Sequence, residues 1–315
     1  MFSSIESTQD TLKRLGFTRS EYLASGMEGH VFRVDKRNVA KVWHLKAKQE
    51  VTALQGFYEQ ILALGLPFAT PHITQVDEVE GRTVSLEKAL HGRSMRERIE
   101  DDEAVPPDYA LEAFLTILEA LETHPLPGGE STLPVLGVTS TLGAQQRGGT
   151  AVLLEVAERK VARYGAQLRA SIPDFDWLYE RTVHHLRRLE STTIHAIHGD
   201  LCPENVLLDE HNRVSAVLDW GFFSLFGDPA LDASLAGGLY NMYGPNHLQV
   251  DKVFLQACTQ RLGYSLERLL LYRSLYAICS SNAYSEDGSD GQYAWCVEAL
   301  RREDIHDALA QDVIG

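Results

Sequence analysis

The sequence has few cysteines: Cys202, Cys258, Cys279 and Cys296 are the only four in 315 residues. No two of them form a Cys-x-x-Cys pair, and the number is small for a chain of this length. This argues against a disulfide framework and against a cysteine-rich zinc site. We therefore expect free thiols in a reducing compartment.

Long apolar runs are absent as well. No stretch reaches the ~18 apolar residues that a membrane-spanning helix needs, since Asp219 interrupts the nearest one, from Val214 to Phe226. The segment from Met1 to Asp10 has neither a basic start nor an apolar core. We therefore expect no membrane span, no secretory signal and a cytoplasmic location.

Basic residues are scarce relative to acidic ones, with 29 Lys and Arg against 44 Asp and Glu and a net charge of −15. Such a surface repels a phosphate backbone, which argues against a nucleic-acid partner. It would attract a cationic ligand, although an acidic surface that only keeps the protein in solution is the simpler explanation. The hydrophobic content of 44% and the length indicate a folded protein with one large or two medium domains.

Residues 1–88 alternate short apolar runs with turns, and the chain has no internal repeat. Five strand-like runs lie at 22–24, 31–34, 39–43, 74–78 and 82–86. Apolar residues recur at three- and four-residue spacing from Val51 to Leu62, which predicts a helix. We therefore predict a small antiparallel β-sheet carrying one long helix.

Residues 89–315 have a different, mainly helical pattern. Helices are predicted near 108–122, 151–170 and 174–190 and from 229 onwards. Two short apolar runs, at 205–208 and 214–218, predict a small β-ribbon. Residues 126–150 are rich in Gly, Pro, Ser and Thr and predict a long loop, which we expect to close over a substrate. The predicted fold class is α+β, with residues 1–88 as a smaller lobe and residues 89–315 as a larger one.

The segment from His198 to Asn205 contains the most informative polar residues. Asp200 and Asn205 share a loop that leads into the predicted ribbon, and Asp219 lies at the far end of that ribbon. Because the two ends of a ribbon lie close together, Asn205 and Asp219 can meet. One carboxylate and one amide oxygen suit Mg²⁺, which keeps several waters and takes further ligands from phosphates. Asp200 is then free to accept a proton from a hydroxyl group, as phosphoryl transfer requires.

Each of these residues also has an ordinary structural interpretation. An aspartate before a strand is commonly a turn residue, and an asparagine there commonly bonds its own backbone. His198 is interpreted as a packed, hydrogen-bonded core residue rather than a proton shuttle. The combination in this order, however, favours a chemical role.

The stretch from His198 to Gly221 resembles the aminoglycoside phosphotransferase and choline kinase family, relatives of the protein kinases. His-Gly-Asp with Asn five residues after the Asp is typical of that family's catalytic loop, and Asp219-Trp220-Gly221 takes the place of Asp-Phe-Gly. The run from Gly227 to Asp232 is similar to the family as well. The resemblance implies a bilobal protein-kinase-like fold, with Asp200 as catalytic base and Asn205 and Asp219 as metal ligands.

The same resemblance implies a nucleotide site in the first lobe. Lys41 would hold the α- and β-phosphates and Glu50 would pair with it, while Gly26 and Gly29 would let the backbone approach the phosphates. The hinge backbone from Glu87 to Ala89 would meet the adenine edge. Outside this context, the glycines fit a plain hairpin turn, Lys41 a solvent-facing strand residue and Glu50 an exposed helix residue.

The implied activity is ATP- and Mg²⁺-dependent transfer of the γ-phosphoryl group to a hydroxyl of a small molecule, with GTP as the alternative donor. The acceptor is an aminoglycoside or another antibiotic, as in a resistance enzyme, or else a metabolic amino alcohol or sugar. Five acids of the second lobe could contact a cationic acceptor or form a solvated face: Asp251, Glu267, Glu286, Asp287 and Asp290. The oligomeric state is open.

Two further hypotheses compete with this activity: a kinase-like module that binds nucleotide without transferring phosphate, and a metal-dependent hydrolase. A kinase-like module that transfers no phosphate has usually lost the lysine or a catalytic aspartate, whereas Lys41, Asp200 and Asp219 are all present here. A metal-dependent hydrolase needs more metal ligands than this loop supplies. Cys202 and Glu204 depart from the His and Gly that many relatives have. Neither is a base or metal position, so the departures concern substrate shape.

Overall fold

The computed structural model describes residues 4–100, 102–126, 128–129, 131, 133–141, 149–189 and 193–314. The chain divides into two compact units. The first contains residues 1–92 and 215–218, and the second contains residues 93–214 and 219–315. The first unit thus includes residues 215–218 from much later in the chain, and the lobes at residues 1–88 and 89–315 stay a prediction.

The first unit is a sheet with two helices. Its elements are α1 (Ile5–Arg14), β1 (Glu21–Ser25), β2 (Gly29–Arg33), β3 (Asn38–Trp43), α2 (Lys48–Ala63), β4 (Ile73–Val79) and β5 (Arg82–Lys88). The strands form one antiparallel sheet in the order β1-β2-β3-β5-β4. This confirms the predicted small antiparallel sheet with one long helix, α2.

Apolar side chains on one side of this sheet form its core. Phe32 and Val42 are buried there with Leu12 of α1. Helix α2 buries Val51, Leu54 and Ile61 at the predicted spacing, so the helical periodicity identified the packed face.

The second unit is largely helical. Its elements are β6 (Arg93–Ser94), a 3₁₀ turn (Met95–Arg98), α3 (Asp108–Thr123), α4 (Thr150–Ser171), α5 (Phe175–Arg188), β7 (His195–Ile197), a 3₁₀ turn (Pro203–Asn205), β8 (Val206–Leu208), β9 (Val214–Val217, mostly in the first unit), β10 (Leu225–Gly227), α6 (Ala230–Tyr240), α7 (His247–Leu262), α8 (Leu266–Ser280), α9 (Gly291–Leu300) and α10 (Glu303–Ala310). Strands β7 and β10 pair antiparallel, as do β6 and β8. Within the described part of the chain, no helix is long and apolar enough to cross a bilayer.

Helix α6 lies at the centre of this unit. Every one of its residues is buried, and α8 is buried from Leu269 to Ser280. Gly237 allows this packing, because a Cβ there would lie 2.7 Å from the Cα of Asp251. The core of the second unit is therefore formed by helices that meet at close backbone distance.

The predicted loop at 126–150 lies partly outside the described residues. Two residues of its described part are bound to α4: the Oγ of Ser140 and the amide of Thr141 donate hydrogen bonds to Glu155 at 2.5 and 2.9 Å. The amide of Leu136 donates to the carbonyl of Phe222 at 3.0 Å. These contacts fix the described residues on the second unit, and closure over a substrate stays a prediction.

Glu155→Gln is expected to loosen this attachment. Burial disfavours the charged form of Glu155, but the hydrogen bonds from Ser140 and Thr141 outweigh it and lower its pKa to about 2. The ionised anchor therefore persists well below the usual carboxyl range and is lost only as the pH falls through that value. Losing the charge should speed amide exchange at Thr141 about tenfold, measured by hydrogen–deuterium exchange. Glu158→Gln on the exposed face of α4 is the control, and equal exchange in both variants would contradict the anchoring role.

Candidate active site

The loop after β7 is held by a buried carboxylate. The amides of His198 and Gly199 each donate to Asp232 of α6, both at 2.7 Å, and Asp232 is 1% exposed. Gly199 has φ of 75°, and a Cβ there would lie 2.5 Å from the carbonyl oxygen of Phe223. Packing against α6 and Phe223 thus determines the conformation of the loop before Asp200 begins.

His198 is a packed core residue, as interpreted from the sequence. It is fully buried, its Nδ1 accepts the amide of Asp200 at 3.2 Å, and its ring lies 4.7 Å from that of Trp220. The carbonyl oxygen of His198 accepts a hydrogen bond from the Ser224 hydroxyl at 2.6 Å. The hydroxyl oxygen of Ser224 in turn accepts a hydrogen bond from the amide of Gly221 at 2.8 Å. Ser224 therefore connects the Asp200 loop to the Asp219–Gly221 turn.

The side chain of Asn205 is held by a hydrogen bond from its amide nitrogen. Its Nδ2 donates to the carbonyl of Asp200 at 2.8 Å, and no described residue donates to its Oδ1. Asp219 has φ of 52°, a left-handed conformation that is uncommon outside glycine. An amide oxygen and a carboxylate are hard donors that fit Mg²⁺. The described residues contain no cluster of three His, Cys, Asp or Glu, so a cation here would need ligands from water or substrate.

Asp200 has a carboxyl group whose pKa lies near neutrality. Burial is the main cause that raises its pKa, and the negative charge of Asp219 adds to it, bringing the value to about 7. The carboxyl group therefore exchanges a proton near neutral pH. Burial also raises the pKa of the neighbouring Cys202 thiol, which argues against a nucleophilic cysteine.

A cavity of about 480 Å³ opens at Asp200. Tyr243, Tyr276 and Tyr284 contribute to its walls. Tyr284 is 53% exposed and its ring stacks on that of Phe222 at 5.7 Å. A larger cavity of about 1030 Å³ in the second unit is not lined by Asp200. The smaller cavity is therefore the candidate acceptor site.

In the first unit, Lys41 lies over an aromatic ring. Its Nζ is 3.9 Å from the centroid of Trp43 and 3.0 Å from Oε2 of Glu28. The Trp43 indole donates to Ser85 at 2.9 Å, and Ser85 donates to Glu87 at 2.6 Å. Glu87, predicted for its backbone, thus also supports the ring beneath Lys41 through its side chain.

The expected ion pair between Lys41 and Glu50 is not formed in this structure. Glu50 lies in the first turn of α2, where its carboxylate accepts the amide of Ala47 at 2.7 Å. That bond satisfies a helix N-terminus and draws the carboxylate toward the helix end. Glu28, between β1 and β2, takes the position at Lys41 instead.

The two glycines of the first turn differ in their surroundings. A Cβ on Gly29 would lie 2.4 Å from the carbonyl oxygen of Val42, whereas a Cβ on Gly26 would meet nothing within 4 Å. Gly29 is therefore required by the pairing of β2 with β3. The amide of Ala89 donates to Arg37 at 2.8 Å, so in this structure that hinge donor is already used, and the adenine contact stays a prediction.

We expect Gly26→Ala to separate nucleotide binding from folding. The substitution meets no neighbour, so the melting temperature should stay within about 2 °C, while a methyl group in a phosphate-binding turn should raise KM for ATP several-fold. Gly29→Ala is the matched comparison and should lower the melting temperature by more than about 4 °C, because it collides with Val42. An unchanged KM in Gly26→Ala would rule out close approach of phosphates at this glycine.

The five acids considered for a cationic acceptor do not line the cavity at Asp200. Asp251 is buried and paired with Arg273 at 2.8 Å, and Glu286 is paired with Arg163. Asp290 accepts the amide of Tyr293 at the start of α9. The remaining two are exposed: Glu267 and Asp287. In this structure these side chains stabilise the fold or face solvent.

Sequence reasoning did not assign roles to Asp232, Ser224 or Glu28. Asp232 and Glu28 lie within segments that the sequence already singled out, the run from Gly227 to Asp232 and the turn from Gly26 to Gly29, but nothing in those segments indicates their contacts. Ser224 follows Asp219 by a few residues and has no distinguishing pattern. Their roles depend on partners that folding brings together.

The chain is similar to known proteins in both sequence and structure. The model of the family described as "Phosphotransferase enzyme family" matches residues 21–258, and a search of curated proteins gives no match. The gentamicin complex of APH(2″)-IIa is similar in structure, with a TM-score of 0.61, 15% identity and coverage of 96% of this chain and 98% of that one.

Two other solved structures have the same fold. The GDP complex of aminoglycoside 2′-phosphotransferase-IIIa gives a TM-score of 0.59 at 18% identity, covering 98% of this chain and 99% of that one. The ADP and streptomycin complex of APH(3″)-Id from Streptomyces rimosus gives 0.54 at 18% identity, covering 86% and 96%. These matches confirm the predicted kinase-like fold class. The family model, which spans most of the chain, shows that the protein belongs to the phosphotransferase enzyme family.

Proposed function

We propose that the protein transfers the γ-phosphoryl group of ATP to a hydroxyl of a small molecule in a Mg²⁺-dependent reaction. The observation that carries this proposal is Asp200, a carboxylate with a pKa near neutral on the wall of a 480 Å³ cavity. Asn205 and Asp219, which both interact with Asp200, are the residues that would hold the metal ion. The metal would neutralise charge on the phosphates and the leaving group.

The proposed step uses Asp200 as the proton acceptor. The acceptor oxygen forms a bond to the γ-phosphorus, and its proton passes to the carboxylate of Asp200. The bond between that phosphorus and the bridging oxygen breaks, and ADP leaves with the electron pair. Lys41 holds the α- and β-phosphates. The ADP and GDP complexes of proteins with this fold support a nucleotide as the donor, with ATP proposed as the preferred one and GTP as its competitor.

The cavity favours an acceptor with few positive charges. Its lining contains two carboxylates, Asp200 and Glu204, and Glu204 lies 3.7 Å from the guanidinium of Arg96. This pairing partly offsets the negative charge of the lining. The tyrosine walls suit the face of a sugar or aromatic ring. We propose a hydroxylated ring compound of low positive charge as the acceptor, with the polycationic aminoglycosides that similar proteins bind as the alternative class.

The test is an ADP-release assay with Mg·ATP and a panel of acceptors. Gentamicin, kanamycin and streptomycin represent polycations, and macrolides, sugars and amino alcohols represent less charged hydroxyl compounds. Turnover in either set supports the transferase reaction, and the set that is turned over decides the acceptor class. Absence of Mg·ATP binding by calorimetry would overturn the proposed function.

The rate should depend on pH through Asp200. Its ionised form accepts the proton, so kcat/KM should rise as the pH increases through about 7 and level off above it. Raising the Mg²⁺ concentration should move the inflection to lower pH, because a cation at Asp219 offsets a charge that raises the Asp200 pKa. Initial rates between about pH 5.5 and 9 at two Mg²⁺ concentrations measure both effects. A flat profile would contradict proton transfer to this carboxylate.

A further inference from the structure

A single carboxylate bridges two lysines in the first unit. Glu28 lies between β1 and β2, with its Oε2 3.0 Å from Nζ of Lys41 and its Oε1 2.6 Å from Nζ of Lys46. Both ammonium groups lie over the ring of Trp43, at 3.9 and 5.0 Å from its centroid. The two cations therefore share one aromatic surface and one anion.

The Trp43 ring beneath the two lysines is held in place. Trp43 is 3% exposed, and its indole nitrogen is held by Ser85, which is held in turn by Glu87. Two ammonium groups on one ring repel each other unless an anion lies between them. Burial disfavours the charged form of Glu28, but Lys41 and Lys46 outweigh it and hold its pKa below the usual value. The bridge is therefore ionised at neutral pH.

The two lysines form a site for an oxyanion with two accepting oxygens. A phosphate and a carboxylate accept hydrogen bonds from ammonium groups in the same way, and a triphosphate carries more charge. Glu50 does not compete for Lys41, because its carboxylate is bonded to the amide of Ala47. Glu28 is thus the residue that a phosphate must replace to reach Lys41.

We propose that Lys46 is a second phosphate-binding residue beside Lys41, and that Glu28 holds the phosphate position until a nucleotide displaces it. This inference rests on the proposed function, since it requires a nucleotide phosphate at Lys41. It assigns to Lys46 a role that its position between β3 and α2 does not reveal in the sequence.

Calorimetric titration of the full chain with Mg·ATP tests the proposal. Glu28→Gln should lower Kd about five- to tenfold, since the phosphates no longer displace a carboxylate, and Lys46→Met should raise it by a similar factor. Adenosine has no phosphate and should bind the wild type and Glu28→Gln equally. Glu21→Gln and Lys48→Met, at exposed positions of the same unit, are the matched charge controls.

Several results would overturn the inference. Weaker Mg·ATP binding by Glu28→Gln would show that Glu28 positions Lys41, the role expected for Glu50. If Glu28→Gln raised the affinity for adenosine as much as for Mg·ATP, the effect would not involve the phosphates. If Lys46→Met bound Mg·ATP as tightly as the wild type, Lys46 would not be a phosphate-binding residue. If the wild type bound Mg·ATP and Glu28→Gln did not differ from it, only this inference would fail. A wild type without nucleotide binding would defeat the proposed function itself.

Discussion

Replacing Asp200 by Asn is expected to lower kcat by about 10²- to 10⁴-fold while Mg·ATP still binds. The amide keeps the size of the side chain but accepts no proton from the acceptor hydroxyl. The loop should keep its conformation, because Asp232 holds it through the amides of His198 and Gly199 and not through the Asp200 side chain. Steady-state rates with the acceptor identified in the panel, together with calorimetry of Mg·ATP, measure the two effects.

Glu204→Gln is the matched control for this substitution. Glu204 belongs to the same loop, lines the same cavity and is paired with Arg96, so its neutralisation alters local charge without removing the base. We expect kcat to stay within about threefold of the wild type in this variant. Comparable losses in the two variants would show that the loop's charge matters rather than a proton acceptor. Near-normal turnover in Asp200→Asn would contradict the role of Asp200 as proton acceptor.

The second large effect is expected for stability. Asp251→Asn should lower the free energy of unfolding by about 3–5 kcal/mol, because it leaves Arg273 with a buried charge that lacks its partner. Arg273 is 1% exposed and lies 2.8 Å from Asp251, whose second oxygen is 2.5 Å from Arg302. The network connects α7, α8 and the start of α10. Urea unfolding followed by circular dichroism measures the loss.

Asp312→Asn provides the comparison at an exposed aspartate and should change stability by less than about 0.5 kcal/mol. A variant of Asp251 that unfolded at the wild-type urea concentration would show that Arg302 or solvent compensates the charge. The same measurement tests an interpretation of the sequence, since Asp251 was one of the acids considered for substrate binding.

The elements that the sequence predicted well are those with a local pattern. The spacing of Val51, Leu54 and Ile61 identified α2, and glycine-bearing turns identified the antiparallel strands. The three-residue strands β7 and β10 escaped prediction because so short a segment has no periodicity to detect. His198 was correctly interpreted as packed, since it is fully buried.

The site could be predicted as a set of residues but not as a set of contacts. Asp232 binds amides more than thirty residues earlier in the chain, and no local pattern encodes that distance. The Lys41–Glu50 pair was expected from order along the chain, yet Glu28 is the residue that lies against Lys41. Order along the chain does not determine which of two carboxylates meets a lysine, because that choice depends on the details of packing.

Because the loop that contains Asp200 is attached to α6, the residues that position Asp200 differ from those that shape the cavity. Asp232 secures the backbone just before Asp200 from within the core, whereas Cys202 and Glu204 face the cavity farther along the same loop. Substitutions at the cavity-facing positions can therefore change the shape of the cavity while Asp200, the proposed proton acceptor, stays where the core places it. A scaffold built in this way can acquire new substrates through single changes without losing its chemistry.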